Sequence, residues 1–103
     1  MKILIKIKNL DNSSEIKELI QSKFSNLDKY HSEVTEVRVE LEQDAHHLKG
    51  EIIRCEANVI LNGNLIRVEK KSDNVEKTIN KVKDHLKVVL SKDRKKQIDK
   101  KRR

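Results

Sequence analysis

The sequence has no proline, no tryptophan, one cysteine and two glycines, and its only aromatic residues are Phe24 and Tyr30. Without proline no helix meets a built-in breaker. A lone Cys55 excludes an internal disulfide and a cysteine metal cluster, and suits a reducing compartment, so secretion is not expected. Two glycines leave no glycine-rich phosphate loop. One phenylalanine and one tyrosine are too few for the stacking platforms with which RNA-recognition motifs and OB folds hold single strands. Long apolar runs are missing too. Lys2, Lys6 and Lys8 interrupt Ile3, Leu4, Ile5 and Ile7 before a signal-peptide core accumulates, and no stretch approaches the roughly 20 apolar residues of a membrane span. A soluble protein with no membrane partner is expected.

What is present is charge. In 103 residues, 24 Lys and Arg outweigh 17 Asp and Glu, for a net +7. The length suits one small domain, and the balance favours polyanionic partners, nucleic acid before an acidic membrane surface. The distribution is uneven: residues 1–65 carry 9 basic and 11 acidic side chains, whereas residues 66–103 carry 15 basic and 6 acidic. The cationic function is therefore placed in the C-terminal third. A solvated helix face with a frayed tail is the plain alternative for such a run.

Periodicity orders the chain. Ile3, Ile5 and Ile7 alternate with lysines as in a strand with one buried face. Asp11 to Ser14 supplies candidate caps, and Ile16, Leu19, Ile20, Phe24 and Leu27 then form a helical stripe that Tyr30 closes. Val37, Val39 and Leu41 alternate with Glu36, Arg38, Glu40 and Glu42 in a second strand, and Gln43 to Gly50 reads as a polar loop. Ile53, Cys55, Ala57 and Val59 share one face of a third strand. The dipeptide Asn62-Gly63 predicts a two-residue hairpin with positive φ at both positions, which sets Val59 opposite Ile66 and Ala57 opposite Val68. Ser72-Asp73-Asn74 offers caps, with Asp73 and Glu76 at capping-box spacing, for a helix whose stripe is Val75, Ile79, Val82, Leu86 and Leu90. Beyond Ser91 apolar support falls away, which divides the chain into a domain at 1–91 and a basic tail at 92–103 that extends the helix before fraying. The order strand, helix, three strands, helix predicts an α+β two-layer sandwich, βαβββα, with two helices on one face of a four-stranded sheet and a radius of gyration of about 13 Å.

Groups for chemistry are sparse. Cys55 falls on the inward face of its strand with no positioned base in the same segment, so catalysis is not expected. His46 and His47 are adjacent in an extended loop and point apart, a poor arrangement for a metal. Glu40, Glu42 and Asp44 form the alternation that solvent exposure alone produces. No cofactor, metal or small-molecule substrate is expected. On the last helix, by contrast, Lys77, Lys81, Asp84 and Lys95 face away from the apolar stripe and Lys83, Lys87, Lys92, Arg94 and Lys96 flank it. That is a cationic ridge suited to the phosphates of structured RNA read by shape.

At these residues the chain resembles the bacterial ribosome hibernation promoting factors, or ribosome-associated inhibitors, often labelled sigma-factor modulation proteins. The resemblance covers nearly the whole chain. Lys23-Phe24, Leu27 and Asp28-Lys29-Tyr30 are similar to the family's basic-aromatic pair, leucine and acidic-basic-aromatic close. Glu56-Ala57-Asn58-Val59, Asn62-Gly63, Ile66-Arg67 and Glu69 resemble its third strand, turn and fourth strand. Ile79-Asn80, Val82, Leu86, Leu90, Lys92 and Arg94 resemble its last helix. The chain departs from the family where Asn74-Val75-Glu76 replaces Asp-Met-Tyr, and where His85 and Val88 stand at positions commonly held by lysine and arginine.

The resemblance implies a fold like a double-stranded-RNA-binding domain with an extra strand. It also implies binding in the decoding region of the small ribosomal subunit, where the family occludes the messenger channel and tRNA sites during stress. The partners it implies are the small subunit and its rRNA, with Lys23, Lys29, Arg67, Lys77, Lys81, Lys87, Lys92, Arg94, Lys95 and Lys96 in contact. Long members continue into a C-terminal dimerising domain, which nothing here resembles, so a short form or an N-terminal fragment, without self-dimerisation, is expected. A module acting on a transcription factor and a generic structured-RNA-binding domain are the alternatives.

Overall fold

The computed structural model describes residues 1–44 and 52–101, with side chains as far as residue 96. The elements are β1 (Lys2–Lys8), α1 (Ser13–Phe24), a short 3-10 turn (Leu27–Lys29), β2 (Val34–Asp44), β3 (Ile52–Leu61), β4 (Asn64–Ser72) and α2 (Val75–Lys101). The four strands form one sheet in the order β1-β2-β3-β4. β1 runs parallel to β2, with α1 as the crossover a parallel pair needs, and the other pairs are antiparallel. Both helices lie on the same side, so the architecture is the α+β two-layer βαβββα sandwich.

The period-two pattern is realised in the core. Val37, Val39 and Leu41 of β2, Ile53, Cys55, Ala57 and Val59 of β3 and Val68 of β4 are buried beneath Ile20 and Phe24 of α1 and Ile79, Val82, Leu86 and Leu90 of α2. Burying those four α2 side chains contributes roughly 6–12 kcal/mol before ordering costs. It also fixes which faces of α2 meet solvent. The hairpin register is Leu61↔Asn64, Val59↔Ile66 and Ala57↔Val68, as the turn dipeptide predicts.

Several local expectations are corrected. Of the two hairpin-turn residues only Gly63 takes a positive φ, at 74°; Asn62 does not. The first helix stops at Phe24 rather than running to Tyr30, because Ser25 and Asn26 are poor helix formers and Leu27 is buried from a separate 3-10 turn. Asn12 caps α1 through its backbone in a left-handed conformation, with no side-chain cap. For α2 the cap is Asn74, whose Oδ1 accepts the Lys77 N–H at 3.0 Å; Asp73 lies outside the helix, and the Asp73–Glu76 box is not its cap. Gln43 and Asp44 belong to β2, not to a loop. The rest of that expected loop, including His46, His47 and Gly50, lies outside the described residues.

α2 runs without a break past Leu90, the last buried apolar residue among its described side chains, to Lys101. At 1.5 Å per residue its 27 residues extend about 40 Å, longer than the sheet beneath. That overhang explains a radius of gyration of 14.8 Å, above the expected 13 Å, and a longest dimension of 53 Å.

Candidate nucleic-acid interface

The two faces of the molecule treat their cations differently. On the sheet face turned away from the helices, Arg54 is the hub of a charge lattice. Its guanidinium donates to Glu42 at 3.0 Å, Glu40 at 2.8 Å and Glu56 at 3.0 Å, and lies 3.7 Å from Glu69. Arg67 reaches Glu56 at 3.1 Å and Glu69 at 3.2 Å, Lys8 reaches Glu40 at 3.3 Å and Arg38 reaches Glu36 at 2.6 Å. Partial burial pushes the Glu40 carboxyl up, but Lys8 and Arg54 outweigh it and hold it below the usual carboxylate range. A hydrogen bond from Asn58 does most to hold Glu56 low, against partial burial and with help from Arg67 and Arg54. Burial lowers Arg54, and Glu42 and Glu40 more than restore it. Glu40 and Glu42 are thus half-buried partners of Arg54 rather than residues alternating into solvent. Lys8, Arg38, Arg54 and Arg67 are thus neutralised within this face.

On the helix face the cations are left over. Lys77, Lys81, Lys87, Lys92, Arg94, Lys95 and Lys96 are exposed and Lys83 is half-buried. Lys77 approaches Asp73, which lies just before the helix, at 3.9 Å. None of Lys81, Lys92, Arg94, Lys95 and Lys96 makes an ion pair among the described residues. From Lys77 to Lys96 the ridge is about 28 Å long. Apolar burial of Ile79, Val82, Leu86 and Leu90 forces these charges outward, and the Asn74 cap starts the helix that carries them.

The first helix joins the ridge at one corner. Tyr30 lies beneath Lys87, whose Nζ is 5.5 Å from the ring centroid, and this brings the 3-10 turn that carries Lys29 against α2. Lys23 is in the last turn of α1 and half-buried. Arg67 is not brought together with the others: it stands on the opposite sheet face, held by Glu56 and Glu69. Val88, half exposed in the middle of the ridge, leaves a gap in the charge.

Sequence reasoning missed His31, Thr78 and the Arg54 hub. His31 is 2% exposed and bonded to Asp93 of α2 at 2.8 Å. Thr78 is buried, with Oγ1 bonded to the Asn74 carbonyl and to Ser72 Oγ. No signal within either segment points to these partners, which are remote or local to a cap. Cys55 is fully buried, and burial pushes its thiol up to about 12, so it is not a thiolate nucleophile at neutral pH. No helix among the described residues is long and apolar enough to cross a membrane.

Residues 3–98 match the family described as Sigma 54 modulation protein / S30EA ribosomal protein. No curated protein sequence matches the chain. Among solved structures, the N-terminal domain of Protein Y from Thermus thermophilus superposes with a TM-score of 0.77 at 26% identity, covering 91% of this chain and 100% of that one. A ribosomal subunit interface protein from Coxiella burnetii superposes with a TM-score of 0.75 at 24% identity, over 89% of this chain and 96% of that one. At the latter identity the likeness is one of fold.

Proposed function

We propose that this chain, which belongs to the Sigma 54 modulation protein / S30EA ribosomal protein family, is a ribosome-binding inhibitor of translation that acts in the cytoplasm during stress or stationary phase. It lays α2 on rRNA of the small subunit and occupies the decoding region and messenger channel. The observation that carries this reading is the set of exposed cations Lys81, Lys92, Arg94, Lys95 and Lys96, which make no ion pair among the described residues, set against a sheet face where glutamates hold Lys8, Arg38, Arg54 and Arg67. An unpaired lysine or arginine on a rigid helix releases counterions when it meets a phosphate, at no cost of breaking an internal pair.

In this reading Lys77, Lys81, Lys87, Lys92, Arg94, Lys95 and Lys96 touch phosphates, with Lys23 and Lys29 at the corner beside Tyr30. Arg67 contributes from the sheet face, after release from its glutamates. Residues 1–91 supply the folded body and residues 92–103 the basic extension. Inhibition is steric and stoichiometric: the domain excludes messenger and tRNA by occupying their channel, and binds as a monomer. Phosphate contacts alone do not favour one RNA over another, so the location within the subunit needs its own test. With purified small subunits, preloaded messenger and initiator tRNA are expected to raise the apparent Kd of the labelled protein in proportion to their concentration. Simultaneous binding of protein, messenger and tRNA would reject the decoding region.

A further inference from the structure

We infer that His31 is a positioning residue that sets the direction of the cationic end of α2, an inference that rests on the proposed function for its purpose. Among the described side chains the apolar grip on α2 ends at Leu90, yet four exposed cations come after it, and three of them, Arg94, Lys95 and Lys96, lie beyond Asp93. Lys92 and Lys96, four residues apart on the helix, repel, and like charges do not hold their own helix together. What stands between the grip and these cations is Asp93. Its Oδ2 meets His31 Nε2 at 2.8 Å, across 62 residues of sequence, and the imidazole is 2% exposed.

The second ring nitrogen decides the proton. The Glu33 backbone N–H donates to His31 Nδ1 at 3.1 Å, so Nδ1 is the acceptor and Nε2 carries the hydrogen donated to Asp93. Both ends of the ring are therefore used, one on the loop before β2 and one on the helix. Tyr30, the preceding residue, holds Lys87 at 5.5 Å. Two consecutive side chains thus clip α2 six residues apart, with the second contact at the start of the cation cluster. A small rotation at Asp93 is multiplied along the overhang, and phosphate contacts need several cations in register at once.

Two substitutions separate the ring's bonds. His31→Gln retains a donor near the Nε2 position and loses the Nδ1 acceptor; His31→Asn retains a polar atom near Nδ1 and loses the reach to Asp93. Asp93→Ala breaks the same link from the helix side. Amide hydrogen exchange of residues 94–101 is measured on the free full chain. Exchange is expected to accelerate at least about tenfold in His31→Asn and Asp93→Ala, the scale of one lost charge-assisted hydrogen bond, and to stay near wild type in His31→Gln. In small-subunit binding, the slope of log affinity against log salt is expected to fall by roughly 2–3 in the first two variants, as three cations lose their phosphates, and to be kept in His31→Gln. A defect that merely lowers the folded fraction weakens binding without changing that slope. Unchanged exchange in His31→Asn, or equal acceleration in His31→Asn and His31→Gln, would overturn the inference. A wild-type chain that ignores small subunits would overturn the proposed function, while the exchange rates still decide the role of His31.

Discussion

Replacing Lys92→Glu, Arg94→Glu and Lys95→Glu together is expected to weaken binding to small subunits by at least about a thousandfold at roughly 0.1 M salt. Each lost phosphate contact removes about 0.7–0.9 from the exponent of the salt dependence, and each reversal adds repulsion where attraction stood. The three side chains are exposed and make no ion pair among the described residues, so unfolding stability is expected to change by less than about 0.5 kcal/mol. Binding is read by co-sedimentation and stability by urea unfolding. Lys2, Lys6 and Lys71 provide the control. They are exposed and stand in register with Glu36, Glu40 and Arg54 on the sheet face, and reversing them changes net charge by the same amount. A loss of under about tenfold is expected there, because only long-range attraction is reduced. Equal losses in the two triple variants would make net charge the determinant in place of the ridge.

Removing the hub of the sheet face is expected to act in the opposite way, on stability and hardly on binding. Arg54 is 16% exposed and meets Glu40, Glu42, Glu56 and Glu69, whose exposures run from 19% to 33%. Arg54→Met leaves four carboxylates crowded together. Losing one partner of a fully buried ion pair costs about 3–5 kcal/mol; these glutamates still reach water, so about 2 kcal/mol at pH 7 is expected. The pH dependence carries the sign. Glu40 and Glu56 have folded pKa values below the ordinary one, so the stability they contribute is complete above the ordinary carboxylate value and is lost as pH falls through the folded value. In Arg54→Met the part of that contribution supplied by Arg54 is missing at neutral pH, while Lys8, Asn58 and Arg67 keep the rest, and acidification relieves the repulsion. The gap to wild type should therefore be widest near neutrality and close below about pH 4. Urea midpoints across pH check this, and a gap that widened in acid would contradict it.

The contrast between the two faces also shows what a sequence can carry. Ile53, Cys55, Ala57 and Val59 alternate with polar residues, and their burial follows from that alternation. The Val59–Ile66 and Ala57–Val68 pairs follow from the two-residue turn at Asn62-Gly63. The ridge was legible for the same reason: Ile79, Val82, Leu86 and Leu90 define one helical face, and every lysine off that face must point elsewhere. Arg54 was not legible. Its glutamates come from β2, β3 and β4, and the pairing of Glu42 with Arg54 depends on the register of two strands joined by a longer connection, which no turn signal fixes. His31 was hidden more deeply, since its partner Asp93 lies 62 residues away and a lone histidine beside serine and glutamate reads as surface. The end of α1 at Phe24 was masked by Leu27 and Tyr30, which continue the helical spacing although the 3-10 turn, not the helix, places them. Arg67 was assigned from its motif alone, and only the sheet register reveals that two glutamates already hold it.

The central claim is that an unpaired cationic helix meets rRNA phosphates. The most direct measurement is the affinity of the purified chain for small subunits across a series of salt concentrations. With six to eight cations engaged, log affinity should fall linearly with log salt at a slope of roughly 4 to 7. A slope near zero, or no binding at the lowest salt, would contradict the account.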